Sequence, residues 1–127
     1  MGNAQRRGRA VLIVEDEALV RMEVALLLGE AGFVVYEAGS SDEAIGLLEE
    51  HRDIRLIFTD VHMPGSMDGL KLAHYARERW PPIKIIVASG QVMIRDEDMP
   101  PGGVFLAKPY RSESIASKVR EMVGEAV

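Results

Sequence analysis

Five short apolar runs punctuate the chain: Ala10–Val14, Phe33–Glu37, Leu56–Asp60, Ile83–Ala88 and Val104–Leu106. Continuous apolar runs of this length mark strands buried on both faces of a sheet. Between them the apolar residues recur at helical spacing. A first helix is predicted from about Ala18 to Ala31, with Leu19, Met22, Leu26 and Gly29 on its inner stripe and Gly32 as the residue that ends it. Ser40 and Glu43 have the spacing of a capping box, opening a second helix that carries Ala44, Leu47 and Leu48 to about His51. Gly69, Leu72, Ala73 and Ala76 mark the inner stripe of a third, stopped by Pro81-Pro82. The segment from Gln91 to Gly103 holds Asp96-Glu97-Asp98 and Pro100-Pro101-Gly102-Gly103, so a fourth helix there is short or mobile. A last helix from about Ser112 to Gly124 turns Ile115, Val119, Met122 and Val123 inward.

Strands alternating with helices define βα units on a parallel sheet. Their right-handed crossovers place helices on both faces. There is no internal repeat, so residues 10–127 are expected to form one domain behind a flexible polar tail, residues 1–9, with Arg6, Arg7 and Arg9.

Composition narrows the class. With 47% hydrophobic and 28% charged residues in 127, the chain fits one globular domain. A net charge of -5 counts against direct nucleic-acid binding. The lack of cysteine excludes disulfides, thiol catalysis and cysteine-ligated zinc. No apolar run approaches the roughly 18 residues of a membrane span, and no signal peptide opens the chain, so a cytoplasmic protein is expected.

The chemistry gathers where the strands end. In an open α/β sheet, sites lie beyond the carboxyl ends of the strands. Four of the five runs deliver a reactive residue there: Glu15 and Asp16, then Asp60, Ser89 and Lys108. Three clustered carboxylates oppose folding unless a cation neutralises them. Oxygen-only donors favour a hard ion, Mg²⁺ ahead of Mn²⁺ or Ca²⁺. Lys108 adds a point charge suited to phosphate and Ser89 a hydroxyl donor. A carboxylate beside a hard metal, a lysine and a hydroxyl is equipped to attack phosphorus and hold an acyl phosphate. The residues alone therefore point to Asp60 as a phosphorylatable aspartate.

Val14-Glu15-Asp16-Glu17, Thr59-Asp60-Val61-His62-Met63-Pro64, Ala88-Ser89-Gly90 and Lys108-Pro109-Tyr110 together closely resemble the receiver domain of bacterial two-component response regulators, over about Ala10 to Val123. The resemblance implies a flavodoxin-like (βα)5 doubly wound parallel sheet of strand order 2-1-3-4-5. It implies that Asp60 accepts a phosphoryl group from the phosphohistidine of a histidine kinase or phosphotransfer protein. Asp16, Asp60 and the backbone carbonyl of His62 would bind Mg²⁺ directly, with Glu15 acting mainly through water. Lys108 would pair with the phosphoryl group, Ser89 would move in to hydrogen-bond it, and Phe105 would be the aromatic that turns inward with Ser89. The Lys108-Pro109 bond would be cis, and His62 and Gln91 would tune the phosphate's lifetime.

Two stretches depart in length from the family pattern. The loop Met63–Gly69 is one residue longer, and the span from Ser89 to Lys108 is shorter than usual. The second change counts against the ordinary dimer; a monomer or weak dimer with a partner-dependent switch surface is expected. No DNA-binding or catalytic domain follows Val127 in the sequence, so output is expected through an unidentified downstream protein. No enzymatic activity is expected beyond self-phosphorylation from small donors and autodephosphorylation.

Each residue also has a plainer reading. Glu15, Asp16 and Glu17 alone would be acids complementing a helix start, and Phe105 alone plain core. His51 and His74 read as surface residues, and Trp80 as packing at a helix end. The alternative from another class is a haloacid-dehalogenase-like Mg²⁺ phosphatase. Such an enzyme carries a second acid two residues after its nucleophile, where this chain has His62.

Overall fold

The computed structural model describes residues 10–63, 65, 67–91 and 93–124. The sequence reading of the N-terminal tail falls outside them, as do Pro64 and Ser66 of the long loop. Strands β1 (Ala10–Val14), β2 (Val34–Ala38), β3 (Ile54–Asp60), β4 (Lys84–Ser89) and β5 (Val104–Ala107) form one sheet. All four pairings are parallel and the order is β2-β1-β3-β4-β5, as expected. Helices α1 (Ala18–Glu30), α2 (Ser41–Glu50), α3 (Gly69–Arg79) and α4 (Ser112–Val123) complete it.

The sheet is covered on both faces because its strands alternate between two cores. Leu12, Val14, Ile57, Ile85 and Val87 face Ala44 and Leu48 of α2 and Leu72, Ala73 and Ala76 of α3. Val11, Ile13, Leu56, Phe58 and Ile86 face Val24 and Leu28 of α1 and Ile115, Ala116 and Val119 of α4. Burial of each large side chain contributes about 1.5–3 kcal/mol.

Local signals set most helix ends. Ser40 Oγ accepts from the Glu43 N–H at 3.2 Å, while Glu43 Oε1 accepts from Gly39 N–H, one residue earlier than a complete capping box requires. Gly32 (φ 102) and Gly124 (φ 76) take the left-handed backbone that stops α1 and α4.

One expectation needs correction. The stripe assigned to α1 is wrong: Leu19 is 81% exposed, Leu26 65% and Met22 56%, and Gly29 is exposed too, whereas Val24 and Leu28 are buried. This helix is apolar nearly all round, so spacing alone does not select the buried face. The helix between β4 and β5 is short, as expected: one 3-10 turn, Asp96–Asp98. Buried Met99 packs under the crossover, on the α2–α3 side of the sheet.

Candidate functional site

Strand register lines up the reactive residues. Val14 pairs with Thr59, Asp60 with Ala88, and Ser89 with Ala107, so Glu15, Asp60, Ser89 and Lys108 leave the same edge of the sheet. One oxygen from each of Glu15, Asp16 and Asp60 lies within 4.8 Å of the others. Lys108 Nζ donates to Asp60 Oδ1 at 3.0 Å and lies 3.7 Å from Glu15 Oε1. The cation therefore sits across the carboxylate cluster.

The environment sharpens this charge balance. Glu15 is buried and its Oε2 accepts from Glu17 N–H at 3.0 Å, whereas Asp16 is exposed. Burial pushes the Glu15 carboxyl up; the Glu17 hydrogen bond pulls the other way, the Asp60 charge adds to the rise and Lys108 opposes it. For Lys108, burial disfavours the ammonium, but the hydrogen bond and charge of Asp60, with Glu15 behind, carry its pKa above the ordinary lysine value. Tyr110 meets Phe58 edge-on at 6.0 Å, and burial raises its phenol pKa.

The other predicted residues fall at different distances from this centre. Ser89 is buried at the end of β4, and its Oγ accepts from Gln91 N–H at 3.2 Å. The Lys108 N–H bonds Ser89 O at 2.9 Å, and the Lys108-Pro109 peptide is cis, as the resemblance implies. Phe105 is half-buried, paired in register with Val87 and packed on the α2–α3 side of the sheet. His62 and Gln91 are exposed beside the strand ends.

Three supporting residues escape a reading by residue type. Arg21 of α1 donates to Glu15 O at 2.8 Å and Glu37 Oε1 at 3.1 Å, tying the acidic loop to β2. Thr59 Oγ1 donates to Asp60 O at 3.0 Å. Gly69 opens α3 directly against the Asp60 carbonyl, where a methyl group would overlap the oxygen. In the sequence the glycine shows only as part of the inner stripe of α3 and Thr59 only as part of the motif around Asp60.

The acids fit a hard divalent cation: they are oxygen donors alone, gathered within ligand reach, with one of them buried. A doubly wound parallel sheet with this charge cluster past its carboxyl edge puts the cluster where open α/β sheets bind their ligands. The family model for the response regulator receiver domain matches residues 11–120, and the chain belongs to that family. Receiver domains of this family take part in two-component signalling with histidine kinases or phosphotransfer proteins. Membership sets aside the dehalogenase-like phosphatase.

Among relatives, the chain is 37% identical over 117 residues to the sensor kinase CckA of Brucella abortus (strain 2308), covering 89% of this chain and 12% of the kinase. It is 40% identical over 105 residues to the transcriptional regulatory protein PdtaR of Mycobacterium tuberculosis, covering 80% of this chain and 50% of the regulator. The chain thus spans half or less of these two relatives. A crystal structure of a response regulator receiver protein from Sinorhizobium medicae WSM419 superposes with a TM-score of 0.85 at 27% identity, covering 92% of this chain and 95% of that one.

Proposed function

We propose that Asp60 is the phosphoacceptor of a two-component phosphorelay. The observation that carries this is the contact of Lys108 Nζ with Asp60 Oδ1 at 3.0 Å, inside a cluster that also holds Glu15 and Asp16. An Asp60 carboxylate oxygen forms the new O–P bond as the N–P bond of the donor phosphohistidine breaks, and the leaving imidazole takes up a proton. Lys108 neutralises charge on the transferred group, which costs little reorganisation because the ammonium is already in place. The Ser89 hydroxyl, at the neighbouring strand end, donates to a phosphoryl oxygen once it turns toward Asp60.

Asp16, Asp60 and the His62 backbone carbonyl would hold Mg²⁺ directly, with Glu15 acting mainly through water. Mg²⁺, when bound, supplies charge neutralisation for the phosphoryl oxygens. Phe105, in register with Val87 on β4, responds to the shift of Ser89 two residues further along that strand. His62 and Gln91 flank the site in solvent and set how readily water reaches the phosphate. The switched surface is read by a downstream protein, and the domain acts in the cytoplasm as a monomer or weak dimer. It is a phosphoacceptor, and its only reactions are self-phosphorylation from small donors and autodephosphorylation.

Intact mass after incubation with Mg²⁺ and acetyl phosphate tests the reading. One added phosphoryl group is expected, labile to hydroxylamine and absent from Asp60→Asn. An adduct that persists in Asp60→Asn would sink the assignment.

A further inference from the structure

The described residues hold a second concavity, of about 590 Å³, at the opposite end of the sheet from Asp60. It lies where α2 and α3 end and where β3 and β4 begin. Leu48, Ile54, Trp80, Pro81, Pro82 and Ile83 contribute its apolar walls. The volume is in the range of small-molecule sites, roughly 300–1,000 Å³.

Its charge is opposite to that of the molecule. Arg52, Arg55 and Arg79 line the cavity against one carboxylate, Glu49, on a chain whose net charge is -5. Arg79 is committed: it lies 3.3 Å from Glu49, donates to Tyr75 Oη at 2.7 Å, and its guanidinium covers the Trp80 ring at 5.2 Å. Arg52 is exposed and makes no hydrogen bond or ion pair with any described residue. A guanidinium left over beside an apolar hollow is a fork-shaped donor suited to a carboxylate or sulfonate. Trp80 is fixed by Tyr75 edge-on at 6.1 Å and by Arg79, so the wall is preorganised.

We propose that this cavity binds a small organic anion with a flat apolar body, such as an aromatic carboxylate or sulfonate. The ring lies among Trp80, Ile54 and Ile83, and the anionic group meets Arg52. The size of the hollow and its single uncommitted cation favour a compact ligand over an acidic peptide, which would need a line of cations.

Trp80 is the only tryptophan in the chain, so its fluorescence reports on this cavity. The probe is anilinonaphthalene sulfonate, with N-phenyl-1-naphthylamine as the neutral dye of similar shape. Saturable energy transfer from Trp80 to the sulfonate dye is expected, with the neutral dye about tenfold weaker, the size of one charge-assisted contact. Arg52→Glu should weaken the sulfonate dye about tenfold or more and leave the neutral dye unchanged. Salicylate should displace the dye, and amide shifts should centre on Ile54 and Ile83. Equal affinity for the two dyes, indifference to Arg52→Glu, or shifts centred on Leu19, Met22 and Leu26 would each overturn the proposal. Displacement by a glutamate-rich peptide but not by salicylate would overturn it in favour of a peptide groove.

Discussion

Gly69 and Asp60 are in direct backbone contact. A Cβ on Gly69 would overlap the Asp60 carbonyl oxygen and stand 2.7 Å from its carbonyl carbon and 2.8 Å from Thr59 Oγ1. None of these neighbours is the flexible end of a long side chain. The Gly69 N–H also bonds Val61 O at 2.9 Å, so the start of α3 and the end of β3 fix each other. Gly69→Ala is therefore expected to cost about 3 kcal/mol or more, the upper range for overpacking, and to depress phosphorylation as Asp60 shifts. Urea unfolding and the intact-mass assay read the two effects. A variant of normal stability and normal phosphorylation would show that the contact relaxes freely.

Lys108 offsets the carboxylates it spans. Lys108→Ala leaves Glu15, Asp16 and Asp60 facing one another with no cation in contact. Without metal the variant should lose about 1 kcal/mol, a modest figure because Lys108 is 30% exposed and water screens it. Millimolar Mg²⁺ should shrink that deficit, since the ion supplies the missing charge. Thermal midpoints with and without Mg²⁺ measure this. A deficit unchanged by Mg²⁺ would mean the acids do not hold the ion.

How far the sequence was legible depends on whether a signal was local. Apolar runs and proline or glycine stops located all five strands, although β3 begins at Ile54, two residues before the predicted start, and β2 at Val34. Acids and a lysine at strand ends located the charge cluster, because strand order carries them to one edge. Arg21 and Thr59 were not legible as site residues, since their roles rest on side-chain bonds to backbone carbonyls, that of Glu15 across a loop for Arg21 and that of the next residue for Thr59. Helix α1 failed for another reason. Its apolar residues surround the axis, so periodicity holds no information about which face the sheet covers. Substitution separates the faces: Leu19→Lys should change stability by less than about 0.5 kcal/mol, whereas Leu28→Ala should cost about 2–5 kcal/mol. Chemical denaturation of the pair decides it, and a large loss from Leu19→Lys would restore the stripe read from spacing.

The crossover from β4 to β5 replaces a helix with one 3-10 turn and a buried side chain. Asp98 N–H bonds Arg95 O at 2.9 Å, Met99 N–H bonds Asp96 O at 3.2 Å, and Gly103 N–H bonds Pro100 O at 2.9 Å. These are short-range bonds at a solvent-facing edge; the segment is anchored to the rest of the fold by buried Met99 and Pro100 and by the contact of His74 Nε2 with Asp98 O at 2.7 Å. Met99→Ala should cost about 2 kcal/mol or more and accelerate amide exchange from Asp96 to Gly103. Phosphorylation of Asp60 should alter exchange over the same residues, because β5 and Phe105 follow directly. Equal protection in both states would locate the switch elsewhere.

Tyr36 gives a dependence on pH that is independent of the carboxylate cluster around Asp60. Its hydroxyl lies 3.2 and 3.1 Å from the two oxygens of Asp53, tying β2 to the loop before β3, and its ring stacks on His51 at 4.2 Å. Burial, then the hydrogen bond to Asp53 and the charge of that carboxylate, raise the phenol pKa above its ordinary value. The protonated phenol is the form the folded state favours. Its contribution is thus fully present below the unfolded pKa, about 10, and is lost as pH rises through the higher folded value. Tyr36→Phe should therefore cost about 1 kcal/mol at pH 7 to 9, for a hydrogen bond to a half-exposed charged acceptor. Above pH 10 the wild type should lose that advantage, since a tyrosinate would face the Asp53 carboxylate. Urea midpoints of the two proteins across pH 7 to 11 measure the difference. A gap that widens with pH would mean that the deprotonated phenol is stabilised, contrary to the Tyr36–Asp53 geometry.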